Sequence, residues 1–196
     1  MLYVFSAPIP RALGLLPNSD PKVSDMSYVA GTASQGRGGG ADAGEGGGGG
    51  LTVQGLPLFK PPYARITAYD MDKGEIRWQV PHGTTPDNIR NSPALKGINV
   101  PSRLGNTNSQ GTTGTLTTKT LVVSGESIFT TTETGARGAM LRAYDKATGK
   151  DAGAVFMPAP QGGAPMTYML NGKQYIVVTV GGANYPGEIL AYRLPN

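Results

Sequence analysis

No cysteine occurs among the 196 residues, so disulfides, thiolate metal sites and cysteine nucleophiles are excluded. Histidine occurs once, at His82, and tryptophan once, at Trp78. Charged residues are only 15% of the chain, and the 17 basic ones stand singly against 13 acidic ones. With no basic stripe, nucleic acid is not an expected partner. Long hydrophobic runs are missing too. The opening "MLYVFSAPIPRALGLLP" is broken by three prolines and lacks a basic n-region. It reads as neither a signal peptide nor a membrane span, but as an extended segment from inside a longer chain.

What is abundant is glycine, at 30 residues, with 16 prolines. That is a turn-rich, all-β composition. Residues 1–35 read as irregular and punctuated by proline. "GRGGGADAGEGGGGG" at 36–50 reads as a flexible linker, because ordering glycine costs the most entropy. As a phosphate-cradling loop it lacks the Lys-Ser/Thr ending and a following helix. The expected division is therefore an irregular segment at 1–50 and a β-domain at 51–196. There, short runs such as "ARITAYD", "KGEIRWQV", "MLRAYD", "QYIVVTV" and "EILAYRL" are bounded by Gly, Asn, Asp or Pro, as antiparallel hairpins require. Asn171-Gly172 marks a hairpin turn. The one helical candidate, "TTPDNIRNSPALKG", is held to a turn or two by Pro86 and Pro93.

One phrase is written twice. "AYDMDKGEIRW" begins at Ala68 and "AYDKATGKDAG" at Ala143, 75 residues on, and Ala191-Tyr192 repeats its start after a further 48. A four-stranded propeller blade takes about 40–50 residues. The first interval thus fits one blade plus an inserted loop at 81–111, and the second fits one blade. In each copy the alanine (Ala68, Ala143) permits close sheet packing, and the aspartate (Asp70, Asp145) caps the following turn. The glycine (Gly74, Gly149) supplies that turn's positive φ. Trp78 is a flat spacer able to wedge between blades. Gly153 stands where the second tryptophan would, which leaves that blade to other contacts such as Phe156.

The first copy resembles the tryptophan-docking motif, Ala-x-Asp-x-x-x-Gly-x-x-x-Trp, of the quinoprotein dehydrogenases. "APMTYMLNGKQYIVVTVGG" at 164–182 resembles that family's closing segment. "GLPLFKPPYARITAYD" and "TTPDNIRNSPALKG" are similar to its membrane-type glucose and alcohol dehydrogenase branch. The resemblance covers residues 51–196. It implies an eight-bladed β-propeller of which this chain holds about the last three blades, as a truncated product or a partial sequence.

It further implies pyrroloquinoline quinone (PQQ) and calcium as cofactors of the full-length protein. The substrate would be a sugar or alcohol, the electron acceptor ubiquinone or a cytochrome, and the location periplasmic. The family's base and calcium ligands lie in earlier blades, so no catalytic residue and no metal ligand is assigned here, and the chain alone is expected to be inactive. The resemblance makes Thr112, Thr113 and Gly114 candidate cofactor contacts, against an ordinary loop entering a strand. It puts Asn184 and Tyr185 at the substrate-cavity rim, against a surface turn with a packed tyrosine. His82, beside Pro81 and Gly83, reads as a solvated loop residue rather than a ligand. Asp70 and Asp145 read as turn caps rather than paired carboxylates, and Trp78 as structural rather than as a ligand platform. A non-catalytic propeller module for assembly or binding is the alternative function.

Overall fold

The computed structural model describes residues 1–10, 13–18, 22, 25–32, 51–106, 113–132, 134–182 and 184–193. The glycine-rich stretch 36–50 and Thr112 lie outside the described residues. In chain order the strands are β1 (Leu2–Ser6), β2 (Leu13–Pro17), β3 (Tyr28–Thr32), β4 (Thr52–Val53), β5 (Leu56–Pro57), β6 (Arg65–Asp70), β7 (Glu75–Pro81), β8 (Leu116–Thr117), β9 (Leu121–Gly125), β10 (Thr130–Thr131), β11 (Arg137–Asp145), β12 (Asp151–Met157), β13 (Met166–Leu170), β14 (Lys173–Gly182) and β15 (Tyr185–Arg193). The only α-turn among the described residues, α1, spans Asp87–Arg90, followed by a 3-10 turn at Pro93–Leu95. These fall where the two prolines confine the helical candidate.

The strands form a partial β-propeller. Three successive antiparallel sheets run β1-β6-β7, then β8-β9-β11-β12, then β13-β14-β15. The phrase that repeats in the sequence lies on β6, β11 and β15, the equivalent strand of each sheet. In the first sheet Ala68 pairs with Trp78, and the register shifts just after it. In the second, Ala143 pairs with Gly153, and the register shifts at the same place. The third sheet is a three-stranded meander whose first turn is at Asn171 and Gly172, both at positive φ, and whose register shifts between Val180 and Gly182.

Alternation of side chains along the strands builds two cores. Ile66, Ala68, Trp78, Val122 and Tyr144 pack between the first and second sheets. Val123, Leu141, Met157, Val178 and Val180 pack between the second and third. Val122 and Val123 are neighbours in sequence and serve opposite faces. The middle sheet is thus covered on both sides. Ala68 is fully buried, Ala143 half-buried and Ala191 exposed.

Three expectations require correction. Residues 1–35 are not irregular throughout: β1 pairs with β6, with Tyr3 opposite Ala68, and β2 pairs with β3. The sequence carries no turn to announce β1, because its partner begins about sixty residues later. Phe156 does not fill the missing tryptophan's place. Its ring lies on Gly138 of its own sheet, and only its carbonyl crosses to the third sheet, accepting the Tyr192 hydroxyl at 2.8 Å. His82, finally, is not solvated but fully buried.

Candidate functional site

Thr113 and Gly114 lead into β8, the first strand of the second sheet. A Cβ on Gly114 would stand 2.4 Å from Ala164 Cα, just ahead of β13, the first strand of the third sheet. The first-strand edges of these sheets therefore converge, and only glycine permits the approach. The Gly114 carbonyl accepts the Ser124 hydroxyl at 3.0 Å and Gln161 Nε2 at 2.9 Å. Thr113 Oγ1 is buried with no hydrogen-bond partner among the described residues. A buried hydroxyl left unpaired costs free energy that a ligand or water would restore.

Asn184 sits at φ 65° in the turn between β14 and β15. Tyr185 packs on the second core, and its hydroxyl donates to the Glu188 carboxylate at 3.0 Å. Desolvation and that carboxylate raise its pKa. No hydrogen bond among the described residues joins this pair to Thr113 and Gly114. Residues 160–164 approach both. Gln161 bridges to Val180, Gly162 N–H donates to Thr179 O, and Gly181 N–H to Pro160 O. The side chain of Gln161 meanwhile reaches Gly114.

Beneath the inserted loop lies a polar cluster that the sequence reading missed. His82 Nε2–H donates to the Gly125 carbonyl at 3.2 Å, which leaves Nδ1 to accept the Tyr144 hydroxyl at 2.9 Å. Arg103 donates to the same hydroxyl at 3.3 Å and pairs with Asp151. Burial lowers the His82 pKa from 6.5 to about 4, with Gly125 and Glu126 opposing the fall and Arg142 and Arg103 adding to it. Burial likewise pushes Tyr144 up to about 12, the two arginines counteracting. Glu126, fully buried, accepts Thr84 N–H at 2.8 Å, Thr84 Oγ1 at 2.9 Å and Arg142 Nε at 2.7 Å. The partners that bury it lie 16 and 42 positions away, where no local pattern shows them.

Asp70 Oδ1 accepts the N–H groups of Asp72 and Lys73, and Asp145 Oδ1 accepts Thr148 N–H at 2.8 Å and Thr148 Oγ1 at 2.7 Å. Trp78 reaches from the first sheet to the second. Its indole N–H donates to Lys146 O at 3.1 Å, and its ring lies so close on Gly149 that a Cβ there would come within 2.7 Å. Among the described residues no three of His, Cys, Asp and Glu gather at one point. No cage of carboxylates, the charged part of a calcium site, is therefore formed among them. The space beside Gly114 is filled by Ala164, and the orphan Thr113 hydroxyl is the one group here that a hydrogen-bonding ligand such as PQQ would satisfy.

The sequence profile described as PQQ: glucose/ethanol/alcohol dehydrogenase, beta-propeller domain, matches residues 1–176. The chain is 33% identical over 152 residues to a probable quinate dehydrogenase (quinone) of Xanthomonas campestris pv. juglandis, covering 74% of this chain and 18% of that protein. It is 30% identical over 200 residues to the glycerol dehydrogenase large subunit of Gluconobacter oxydans 621H, covering 94% and 24%. Against the quinoprotein glucose dehydrogenase of Escherichia coli K12 it is 31% identical over 151 residues, covering 74% and 17%. The chain thus spans about a fifth of the length of the curated relatives it matches. On the profile's span and on these identities, the chain belongs to the PQQ-dependent glucose/ethanol/alcohol dehydrogenase family and is part of its β-propeller domain.

Proposed function

We propose that this chain forms one sector of a PQQ-dependent dehydrogenase that oxidises a C–OH group of a sugar, polyol or other alcohol, with a quinone or a cytochrome taking the electrons. The reading carries with it a periplasmic location, a calcium ion held by residues outside this chain, and the remaining blades as partners. The observation that carries it is the orphan Thr113 hydroxyl beside Gly114, at converging sheet edges, in a chain of this family.

PQQ, when bound, supplies the two-electron acceptor. The chain's own share is to hold one edge of it. Thr113 Oγ1 and the neighbouring backbone offer hydrogen bonds, each worth about 0.5–1.5 kcal/mol net. Asn184 and Tyr185 close the cavity rim from the β14–β15 turn. Trp78 holds the first sheet to the second and touches no cofactor. No base or cation ligand is drawn from this chain, so it does not turn over by itself.

A few such bonds barely offset the translational and rotational freedom lost on binding. PQQ therefore binds the isolated chain only at about millimolar strength, near −4 kcal/mol. Titration with PQQ, followed at the Thr113 and Gly114 resonances, tests this. The expected result is a weak, saturable shift confined to that edge, with no dye-linked oxidation of glucose, glycerol or quinate. Unmoved Thr113 and Gly114 signals, or turnover by the chain alone, overturn the reading.

A further inference from the structure

Gln161 is the residue through which the second and third sheets meet at the converging edge. It is nearly buried. Its Oε1 accepts Gly125 N–H at 2.6 Å, its Nε2 donates to Gly114 O at 2.9 Å, and its own N–H donates to Glu126 O at 2.9 Å. The carboxamide's orientation follows from these partners, because a backbone N–H must meet the oxygen and a carbonyl must meet the amide nitrogen. The fit is close: a Cβ on Gly125 would fall 2.7 Å from Oε1. No other side chain of this length carries one donor and one acceptor on a flat head group.

A trans peptide points its N–H opposite to its C=O. Gln161 and Ser124 both hold the Gly114 carbonyl toward β9. The N–H of Thr115, in the same peptide unit, is thereby turned to the other side. Two residues earlier, Thr113 carries a hydroxyl with no hydrogen-bond partner among the described residues. A carboxylate or quinone oxygen is the kind of acceptor such an N–H takes.

We propose that Gln161 is a positioning residue, which fixes the 114–115 peptide so that the Thr115 N–H and the Thr113 hydroxyl face an anionic, planar ligand. The inference rests on the reading of Thr113 and Gly114 as a cofactor edge.

The test is hydrogen exchange of the 196-residue chain, read by mass spectrometry over residues 113–118, with and without millimolar PQQ. Gln161→Glu keeps the acceptor for Gly125 N–H and removes the donor to Gly114 O. It should speed exchange over 113–118 about fivefold, as loss of one ordinary hydrogen bond does, and leave 121–125 protected. PQQ should slow exchange over 113–118 in the unsubstituted chain and not in Gln161→Glu. A merely structural role would leave that PQQ effect in place. Where Gln161→Glu does not fold, Gln161→Met, uncharged and of similar length, is read in the same way. Unchanged exchange over 113–118, or an unchanged PQQ effect, overturns the proposal. If PQQ has no effect on the unsubstituted chain, the cofactor reading fails. The exchange rates without PQQ then still judge whether Gln161 fixes the peptide.

Discussion

The two sheet-to-sheet interfaces of this molecule solve one problem differently. Between the first and second sheets, a cluster of aromatics centred on Trp78 spans the gap. Trp78 covers Gly149 and bonds Lys146 O, which Tyr3 also reaches at 3.2 Å, with His82 bonded to Tyr144 beside them. Between the second and third sheets the tryptophan position is Gly153, at φ +131°, with nothing within 4 Å of its would-be Cβ. An L side chain there is strained whatever the room. That interface instead spreads its burial over valines, leucine, methionine and alanine, and adds the Gln161 amide and the Tyr192 hydroxyl. One interface centres on an aromatic anchor, and the other is distributed.

Removing the anchor should break the comparison most visibly. Trp78→Ala is expected to cost about 3–5 kcal/mol, as a large core aromatic cut to alanine does. Its indole is 9% exposed, and its one polar atom is paired. Gly149→Ala attacks the same contact from the other side, with a methyl group driven toward the indole at a φ of +71°. It should lose about 2–4 kcal/mol, summing overpacking and the left-handed backbone penalty. Urea unfolding of both variants measures this. A Trp78→Ala loss below about 1 kcal/mol would remove the anchor interpretation.

Acid should weaken the same interface selectively. His82 is held neutral by burial, with its pKa lowered from 6.5 to about 4. Below pH 6.5 the unfolded chain takes a proton that the folded chain refuses. The stability is therefore whole above about pH 6.5 and is lost as pH falls toward 4. At about 1.4 kcal/mol per pH unit the loss approaches 3 kcal/mol. Unfolding midpoints of the unsubstituted chain and of His82→Gln, followed across that window, should show the slope in the first and a much flatter line in the second. Equal slopes would assign the acid sensitivity elsewhere.

The repeat was legible because it is local: an alanine, a turn-capping aspartate and a glycine within seven residues, copied a blade later. The Asn-Gly hairpin and the proline-limited α1 were legible for the same reason. What stayed hidden is non-local. β1 finds its partner only after an insertion of some sixty residues. His82 sits between Pro81 and Gly83, a setting that signals a loop, and is buried by Phe5, Tyr144 and Gly125 from three other segments. Glu126 and Gln161 carry no motif at all. Their meaning lies in the carbonyls and amides brought to them, which exist only once the sheets have stacked.

The distributed interface yields the smallest expected effect and the sharpest contrast. Tyr192 donates its hydroxyl across to Phe156 O at 2.8 Å. Its ring stays against the second core, where burial raises its pKa. Tyr192→Phe keeps the ring and removes only the donor. The carbonyl it leaves belongs to an exposed residue, so water can take the vacated place, and the full desolvation penalty of a buried orphan does not apply. The expected loss is about 0.5–1 kcal/mol, at the low end for a hydrogen bond. Because the valine and leucine contacts are untouched, the denaturant slope should not change. A loss above about 2 kcal/mol would show that this interface, too, centres on an aromatic anchor, and that Tyr192 stands in for the tryptophan the second copy of the phrase lacks.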